Sequence, residues 1–131
     1  MKKSIFKVVS LMLLLVISLL TLTSCVTPYE VEYDGSITVE VIDVDGNLIK
    51  SKNIEFIQGD ILRDLVSNNF DNFVMEESMY GAYVLSIESI SQDDNSHIYV
   101  ALYINGQYAT SGLDTLEYND GDTISFKAES W

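Results

Sequence analysis

Acidic side chains are the first candidates for chemistry in this sequence, because 20 of its 131 residues are aspartate or glutamate. Close pairs occur at Glu76-Glu77, Asp93-Asp94 and Asp120/Asp122. General acid–base catalysis needs one carboxyl of a pair in an apolar pocket, which raises its pKa. These pairs lie instead in predicted turns and polar loops, where both carboxylates stay ionised. We therefore predict no catalytic residues and a protein that is not an enzyme.

Metal and nucleophile chemistry have little support either. His97 is the only histidine and Cys25 the only cysteine, which excludes a disulfide framework, a histidine pair for zinc and a zinc–thiolate site. The stretch DVDGN, Asp43 to Asn47, resembles the start of an EF-hand loop, but its glycine comes too early and Ile54 stands where glutamate is required. We interpret it as a hairpin turn and predict no metal site, with calcium at the acidic turns as the alternative.

Tyrosine is the more suggestive residue type. Six of the eight tyrosines fall in the C-terminal half, at Tyr80, Tyr83, Tyr99, Tyr103, Tyr108 and Tyr118. Strand propensity and cover for a core account for most of them. A tyrosine near a hairpin end also offers a rigid apolar ring with a polar tip, which suits flat ligands and protein partners. The predicted ligand-binding rim consists of Tyr80, Asn105, Gln107 and Tyr108.

Charge is distributed unevenly along the chain. Every acidic residue follows Cys25, where only four basic residues accompany the twenty acidic ones, so this part carries a net charge of −16. Such a body repels phosphate backbones and anionic lipid heads, which excludes nucleic acid as a partner. Solubility is the ordinary consequence of this charge, and attraction for a cationic ligand is the alternative.

The first 25 residues have the composition of an export signal. A cationic head, MKKSIFK, precedes the apolar run Val8 to Leu22, which is shorter than the roughly 20 residues that span a bilayer. The following LTSC resembles the bacterial lipobox. That resemblance implies cleavage before Cys25 and a diacylglycerol anchor on its thiol, with an ordinary secretory signal as the alternative. We expect a lipoprotein on the extracytoplasmic face of a bacterial cell membrane.

Three segments follow from these boundaries. Residues 1–24 are the predicted signal peptide, residues 25–35 form a short tether that contains the only proline, and residues 36–131 form one domain. A domain of this size buries a single hydrophobic core.

The first half of that domain combines two strands with one helix. SITVEVIDV alternates in strand period, Asp45-Gly46 marks a turn, and NLIKSKNIEF supplies the returning strand. GDILRDLVSNNF has helical period, with Asp60 as the predicted N-cap and an end at Asn68-Asn69. The predicted apolar face comprises Ile61, Leu62, Leu65 and Val66.

The second half returns to strand period. Tyr83, Leu85 and Ile87 share one parity in AYVLSIESI. HIYVALYI is apolar on both parities, so it is either a central strand or a strand with one face under tyrosines. Asn105-Gly106 is a strong hairpin signal, and TISFKAE closes the domain with Ile124 and Phe126 inward. The order predicts an α+β fold, with one short helix packed on a mixed or antiparallel sheet.

Four segments, GDILRDLV, YGAYVLSI, YINGQYATSGLD and NDGDTISF, together resemble the bacterial domain related to the C-terminal domain of transcobalamin. The resemblance covers about residues 36 to 129 and implies a β-grasp-like fold in an extracellular module that binds or displays. In transcobalamin the equivalent domain closes over cobalamin together with a helical domain. The family's usual tryptophan before the hairpin corresponds to Val100 here, and a usual glycine corresponds to Ser89.

Two functional hypotheses follow. In the first, the protein captures a small molecule at the tyrosine-lined hairpin rim, with a cobalamin-like cofactor as the candidate ligand. In the second, it is a display or interaction module that meets a partner protein at the cell surface and binds no small molecule. The family resemblance and the tyrosines favour the first hypothesis.

Overall fold

The computed structural model describes residues 2–20 and 27–131. Two compact units, Met1–Val31 and Glu32–Trp131, make up the chain. Helix α1, Lys2–Leu20, is the only regular element described in the first unit. Among the described residues, no helix combines the length and the apolar character needed to cross a membrane. Cys25 lies outside the described residues, so its lipidation stays a prediction.

A five-stranded mixed sheet forms the larger part of the second unit. Its strands are β1 Gly35–Ile42, β2 Leu48–Phe56, β6 Ile98–Ile104, β7 Gln107–Tyr108 and β8 Thr123–Ser130. Their spatial order is β2-β1-β8-β6-β7. Strands β1 and β8 are parallel, whereas the other neighbours pair in the antiparallel direction.

A second sheet and a short helix complete this unit. The additional elements are α2 Leu62–Asn69, β3 Val74–Ser78, β4 Gly81–Ile87 and β5 Ile90–Ser91. The three strands form their own antiparallel sheet in the order β3-β4-β5. The α+β class is confirmed. The expectation of a single sheet is wrong, because VMEES, which carries no strand alternation, pairs with β4 and gives that strand a sheet of its own.

One hydrophobic core joins both sheets and α2. Ile37, Val39 and Val41 alternate inward from β1, as predicted, and Ile124 and Phe126 are fully buried from β8. Leu62 and Val66 of α2 belong to the same core. The eight-residue helix is therefore held by packing, since an isolated helix of this length is unstable in water.

The start of α2 differs from the prediction. Its N-cap is Ile61, and no side chain caps the helix. The Asp60 carboxylate instead accepts a hydrogen bond from the amide of Ile57 at 2.9 Å, because the two residues close a turn before the helix. Ile61 is exposed rather than part of the apolar face. The end at Asn69 is as predicted, with its amide donating to the Leu65 carbonyl at 2.8 Å.

Strand β4 does not bury along its whole length the parity that Tyr83, Leu85 and Ile87 share. Ala82 and Val84 face the core, whereas Tyr83 is 40% exposed. A register shift opposite Val74 and Met75 places one extra residue in β4. This bulge returns Ile87 to the interior, which explains why no single parity describes the whole strand.

Both predicted hairpin turns form. Asp43 stabilises the first turn by accepting hydrogen bonds from the amides of Asp45 at 3.0 Å and Asn47 at 2.8 Å. Hydrogen bonds from Asn47 lower the pKa of the Asp43 carboxyl. In the second turn, Asn105 and Gly106 both have positive φ, 50° and 79°, as a tight two-residue hairpin requires.

Strand β6 has one face under tyrosines, which is the second of the two predicted alternatives. Its even-numbered side chains, Ile98 to Ile104, pack against the core. Its odd-numbered residues point to the opposite face because side chains alternate along a strand. On that face Ala101 is only 3% exposed, between Tyr99 and Tyr103 along the strand. Tyrosines therefore cover the outer face of this strand.

Gly112 provides a stability test of the contact between the 109–113 segment and β4. A Cβ atom at Gly112 would lie 2.8 Å from the carbonyl oxygen of Ala82 and 2.9 Å from its amide nitrogen. Because both atoms are backbone, β4 must shift to accept it. We expect Gly112→Ala to lower the free energy of unfolding by about 1–3 kcal/mol, measured by urea denaturation. Ser111→Ala is the control, and equal stability of the two variants would contradict the contact.

Candidate functional site

Three tyrosine hydroxyls converge on one carboxylate on the outer face of the five-stranded sheet. Tyr99 donates to Oε2 of Glu129 at 2.9 Å, and Tyr103 and Tyr108 donate to the same carboxylate. The hydroxyls of Tyr99 and Tyr108 also contact each other. We call these four residues the tyrosine cluster.

Strand register creates this cluster. Tyr99 lies opposite Glu129 across the β6–β8 pair, and Tyr103 lies opposite Tyr108 across the β6–β7 pair. Tyr99 and Tyr103 are four residues apart and therefore share one face of β6. The Asn105-Gly106 turn folds Tyr108 back beside them. The hairpin that shapes the sheet thus also builds the cluster.

Aromatic contacts extend the cluster along the sheet. The rings of Tyr103 and Tyr108 lie 4.4 Å apart, and Trp131 lies 6.1 Å from the Tyr99 ring. The Nζ atom of Lys127 sits 4.5 Å from the centroid of the Tyr103 ring. An ammonium over a tyrosine ring is a cation–π contact, so this face already holds one cation of the protein itself.

The hydrogen bonds of the cluster lower the pKa of the carboxylate and raise the pKa values of the tyrosines. Burial opposes ionisation of Glu129, but the hydrogen bonds from the three tyrosines outweigh it and lower the pKa of Glu129. The hydrogen bond to Glu129 raises the pKa of Tyr108 to about 12. Contact with Tyr108, burial and Glu129 raise that of Tyr99 further. The cluster therefore consists of neutral phenols around one anion at physiological pH.

A cleft adjoins the cluster between the edges of β4 and β6. Its volume is about 200 Å³. Residues 82–84 and 99–102 line the cleft, together with residues 108–109 and 111–113. Strand β7 pairs with Tyr103 and Ile104, and the Ala109 amide donates to the Leu102 carbonyl at 3.0 Å. The part of β6 before Leu102 lies beside the cleft.

Tyr83 is a third tyrosine at this cleft, and its hydroxyl contacts a second carboxylate. Tyr83, Tyr99 and Tyr108 all line the cleft. The Tyr83 hydroxyl donates to Oε2 of Glu76, which raises the pKa of Tyr83. Each tyrosine of the cleft therefore has a carboxylate at its hydroxyl, either Glu76 or Glu129.

The four residues of the predicted rim have different environments. Tyr108 belongs to the cluster and lines the cleft. The Asn105 side chain bonds the turn before β8, with its amide 2.9 Å from Asp122 Oδ1 and its carbonyl oxygen 2.9 Å from the Thr123 amide nitrogen. Gln107 is exposed on β7, and Tyr80 is 84% exposed at the turn between β3 and β4. Neither of these two lines the cleft.

Sequence reasoning did not single out Glu129, Tyr99 or Tyr103 as site residues. The period-two spacing of Tyr99 and Tyr103 was a usable signal that they share a face. No local signal points to Glu129, because it lies 30 positions from Tyr99 and meets it only through strand register.

Other chemistry-bearing residues are engaged elsewhere. Glu77 forms an ion pair with Arg63 at 2.9 Å. His97 is exposed, and its ring lies 5.4 Å from that of Trp131. Among the described residues, no three or more histidine, cysteine, aspartate or glutamate side chains form a group that could hold a metal ion.

Comparison with known proteins gives one family and a set of similar structures. A family model described as "Domain of unknown function (DUF4430)" matches residues 59–130. A candidate metal-binding protein from Ruminococcus gnavus ATCC 29149 is similar in structure, with a TM-score of 0.61 and 19% identity over 75% of this chain and 99% of that one. No curated protein matches the sequence.

Haptocorrin in complex with Cbi (cobinamide) is also similar, with a TM-score of 0.59 and 17% identity. The match covers 82% of this chain but only 29% of haptocorrin. Identities this low show a shared fold. They do not transfer a ligand.

Proposed function

This chain belongs to the family described as "Domain of unknown function (DUF4430)", and we propose that it is an extracytoplasmic module that binds a small molecule at the tyrosine cluster. The observation that carries this proposal is the cleft of about 200 Å³ beside three tyrosines. Aromatic residues with polar tips are typical of ligand sites and interfaces. We assign it no catalytic role.

Cobalamin-like compounds are the first ligands to test. The structural similarity to haptocorrin in complex with Cbi supports this choice. The cleft is smaller than the roughly 300–1,000 Å³ of pockets that enclose drug-sized ligands. A corrin ring would therefore lie across the partly exposed cluster, with only a small substituent inside the cleft. A second protein or domain would have to cover its other face.

The β-grasp-like fold belongs to the same proposal. A β1–β2 hairpin is followed by α2, and the first and last strands of the domain, β1 and β8, run parallel at the centre of the sheet. This arrangement supports the resemblance to the C-terminal domain of transcobalamin.

The cellular location is proposed from the sequence. The three lysines before the apolar run, the run itself and the LTSC segment support a lipoprotein signal, with the anchor on Cys25 and the domain outside the membrane. The net charge of −16 after Cys25 supports the exclusion of nucleic acid as a partner.

Ligand-induced stabilisation tests the binding function. We expect cobinamide or another cofactor of a panel to raise the melting temperature of the full-length chain. A ligand at 100 times its Kd adds roughly 2.7 kcal/mol to the free energy of unfolding. Tyr108→Ala should abolish the shift, whereas Tyr29→Ala, which removes a tyrosine that is 90% exposed, should not. A shift that survives Tyr108→Ala would place the ligand elsewhere.

A protein-interaction module is the second candidate function. The exposure of Trp131 at 61% and Tyr108 at 53% on one face favours it, because tyrosine and tryptophan are enriched at protein interfaces. An importer encoded beside the gene would favour ligand capture. Adhesion or cell-wall proteins encoded there would favour display.

A further inference from the structure

The cleft between β4 and β6 has the composition of an aromatic cage. Three tyrosines, Tyr83, Tyr99 and Tyr108, are among its lining residues. The remaining lining is apolar or small and contributes no lysine, arginine or histidine, in the part of the chain that the structure describes. Cages of this kind recognise cationic ligands, since the face of an aromatic ring is electron-rich.

Two carboxylates strengthen the attraction of this cage for a cation. Glu76 accepts from Tyr83, and Glu129 accepts from both other tyrosines of the cleft. A phenol that donates a hydrogen bond to an anion has a more electron-rich ring, and the carboxylates themselves add negative charge at the hydroxyl ends of these side chains. The chain after Cys25 supplies a further long-range attraction through its net charge of −16.

The protein contains an internal example of the same interaction. Lys127 places its ammonium over Tyr103, whose hydroxyl donates to Glu129. Tyr103 does not line the cleft. Tyr99 and Tyr108 share that carboxylate and line the cleft, whose lining residues include no positively charged side chain.

From this arrangement we infer that the cleft binds a small quaternary ammonium group. The inference deepens the proposed function by naming a ligand class, and it rests on that function for the location of the site. A quaternary ammonium suits the cleft better than a primary one. The carboxylates already accept hydrogen bonds from tyrosines, and a primary ammonium buried without its own acceptors loses more hydration free energy than it regains.

Choline and its neutral isostere 3,3-dimethyl-1-butanol provide the decisive comparison, because they differ in charge but hardly in shape. We expect the full-length chain to bind choline about tenfold more tightly than the isostere, measured by isothermal titration calorimetry. Choline should also bind more tightly than n-butylammonium. Equal binding of choline and the isostere, or tighter binding of n-butylammonium, overturns the inference.

Variants locate the site. Tyr108→Ala should weaken choline binding about tenfold or more, whereas Tyr108→Phe, which keeps the ring, should retain most of it. Tyr80→Ala is the matched control, because it removes an exposed tyrosine that does not line the cleft. Choline binding that Tyr108→Ala leaves unchanged overturns the inference. If cobinamide stabilises the chain but choline does not bind, the binding function stands and this ligand class is wrong.

Discussion

Replacing Phe126 with alanine should lower the free energy of unfolding by about 3–5 kcal/mol. Among the described residues, Phe126 is the largest fully buried side chain, with 0% exposure. It lies on β8 opposite Val41 of β1 and Leu102 of β6, and its ring meets that of Phe73 edge-on at 6.5 Å. Truncation would leave a cavity in the hydrophobic core. Urea denaturation followed by circular dichroism measures the change.

The effect is large against the whole stability of the domain, since proteins of this size unfold at a cost of roughly 5–15 kcal/mol. Tyr80→Ala is the control, because it removes an aromatic side chain that is 84% exposed. A loss below about 1 kcal/mol for Phe126→Ala would contradict the central position of this ring.

Replacing Glu129 with glutamine should lower the pKa of Tyr108 from about 12 towards its ordinary value of 10.0. The pKa values of Tyr99 and Tyr103 should fall in the same variant, because all three hydroxyls donate to this carboxylate. Ionising a phenol beside an anion costs electrostatic free energy, and glutamine removes that anion. Near-ultraviolet absorbance of tyrosinate during an alkaline titration measures the shift.

Glu55→Gln is the control for this titration, since Glu55 is exposed on β2 and contacts no tyrosine of the cluster. An unchanged tyrosine titration in Glu129→Gln would show that the carboxylate does not organise the cluster.

The same pKa shifts give the pH dependence of stability. The tyrosine pKa values are raised in the folded state, so the stability they contribute is fully present below pH 10.0 and is lost as the pH rises through their folded pKa values. The pKa of Glu129 is lowered, so its contribution is present above 4.5 and is lost as the pH falls through its folded pKa. In Glu129→Gln, the free energy of unfolding should therefore depend less on pH, both at the alkaline end and at the acidic end of the range.

The candidate site was only partly predictable. The tyrosines in the C-terminal half indicated a binding rim, and Tyr108 lines the cleft. The position of Asn105 at the hairpin tip predicts a rim residue, but its side chain bonds the 119–123 segment and holds two turns together. Turn chemistry and ligand chemistry use the same amide groups, so residue type alone could not separate them.

The local patterns determined much of the fold. Alternation in β1 and β8, the helical period before Asn69 and the turns at Asp45-Gly46 and Asn105-Gly106 each depend on residues adjacent in the chain. Steric limits on the backbone and the burial of apolar side chains act over that short range. The α+β class followed from these elements.

Tertiary structure alone decided the rest. The pairing of β3 with β4, the bulge that changes the parity of β4, and the meeting of Tyr99 with Glu129 all join segments through strand register. Register is chosen by the packing of the whole core, because each strand takes the alignment that buries the most apolar surface. No single segment of sequence contains that choice, and the cluster beside the cleft is its product.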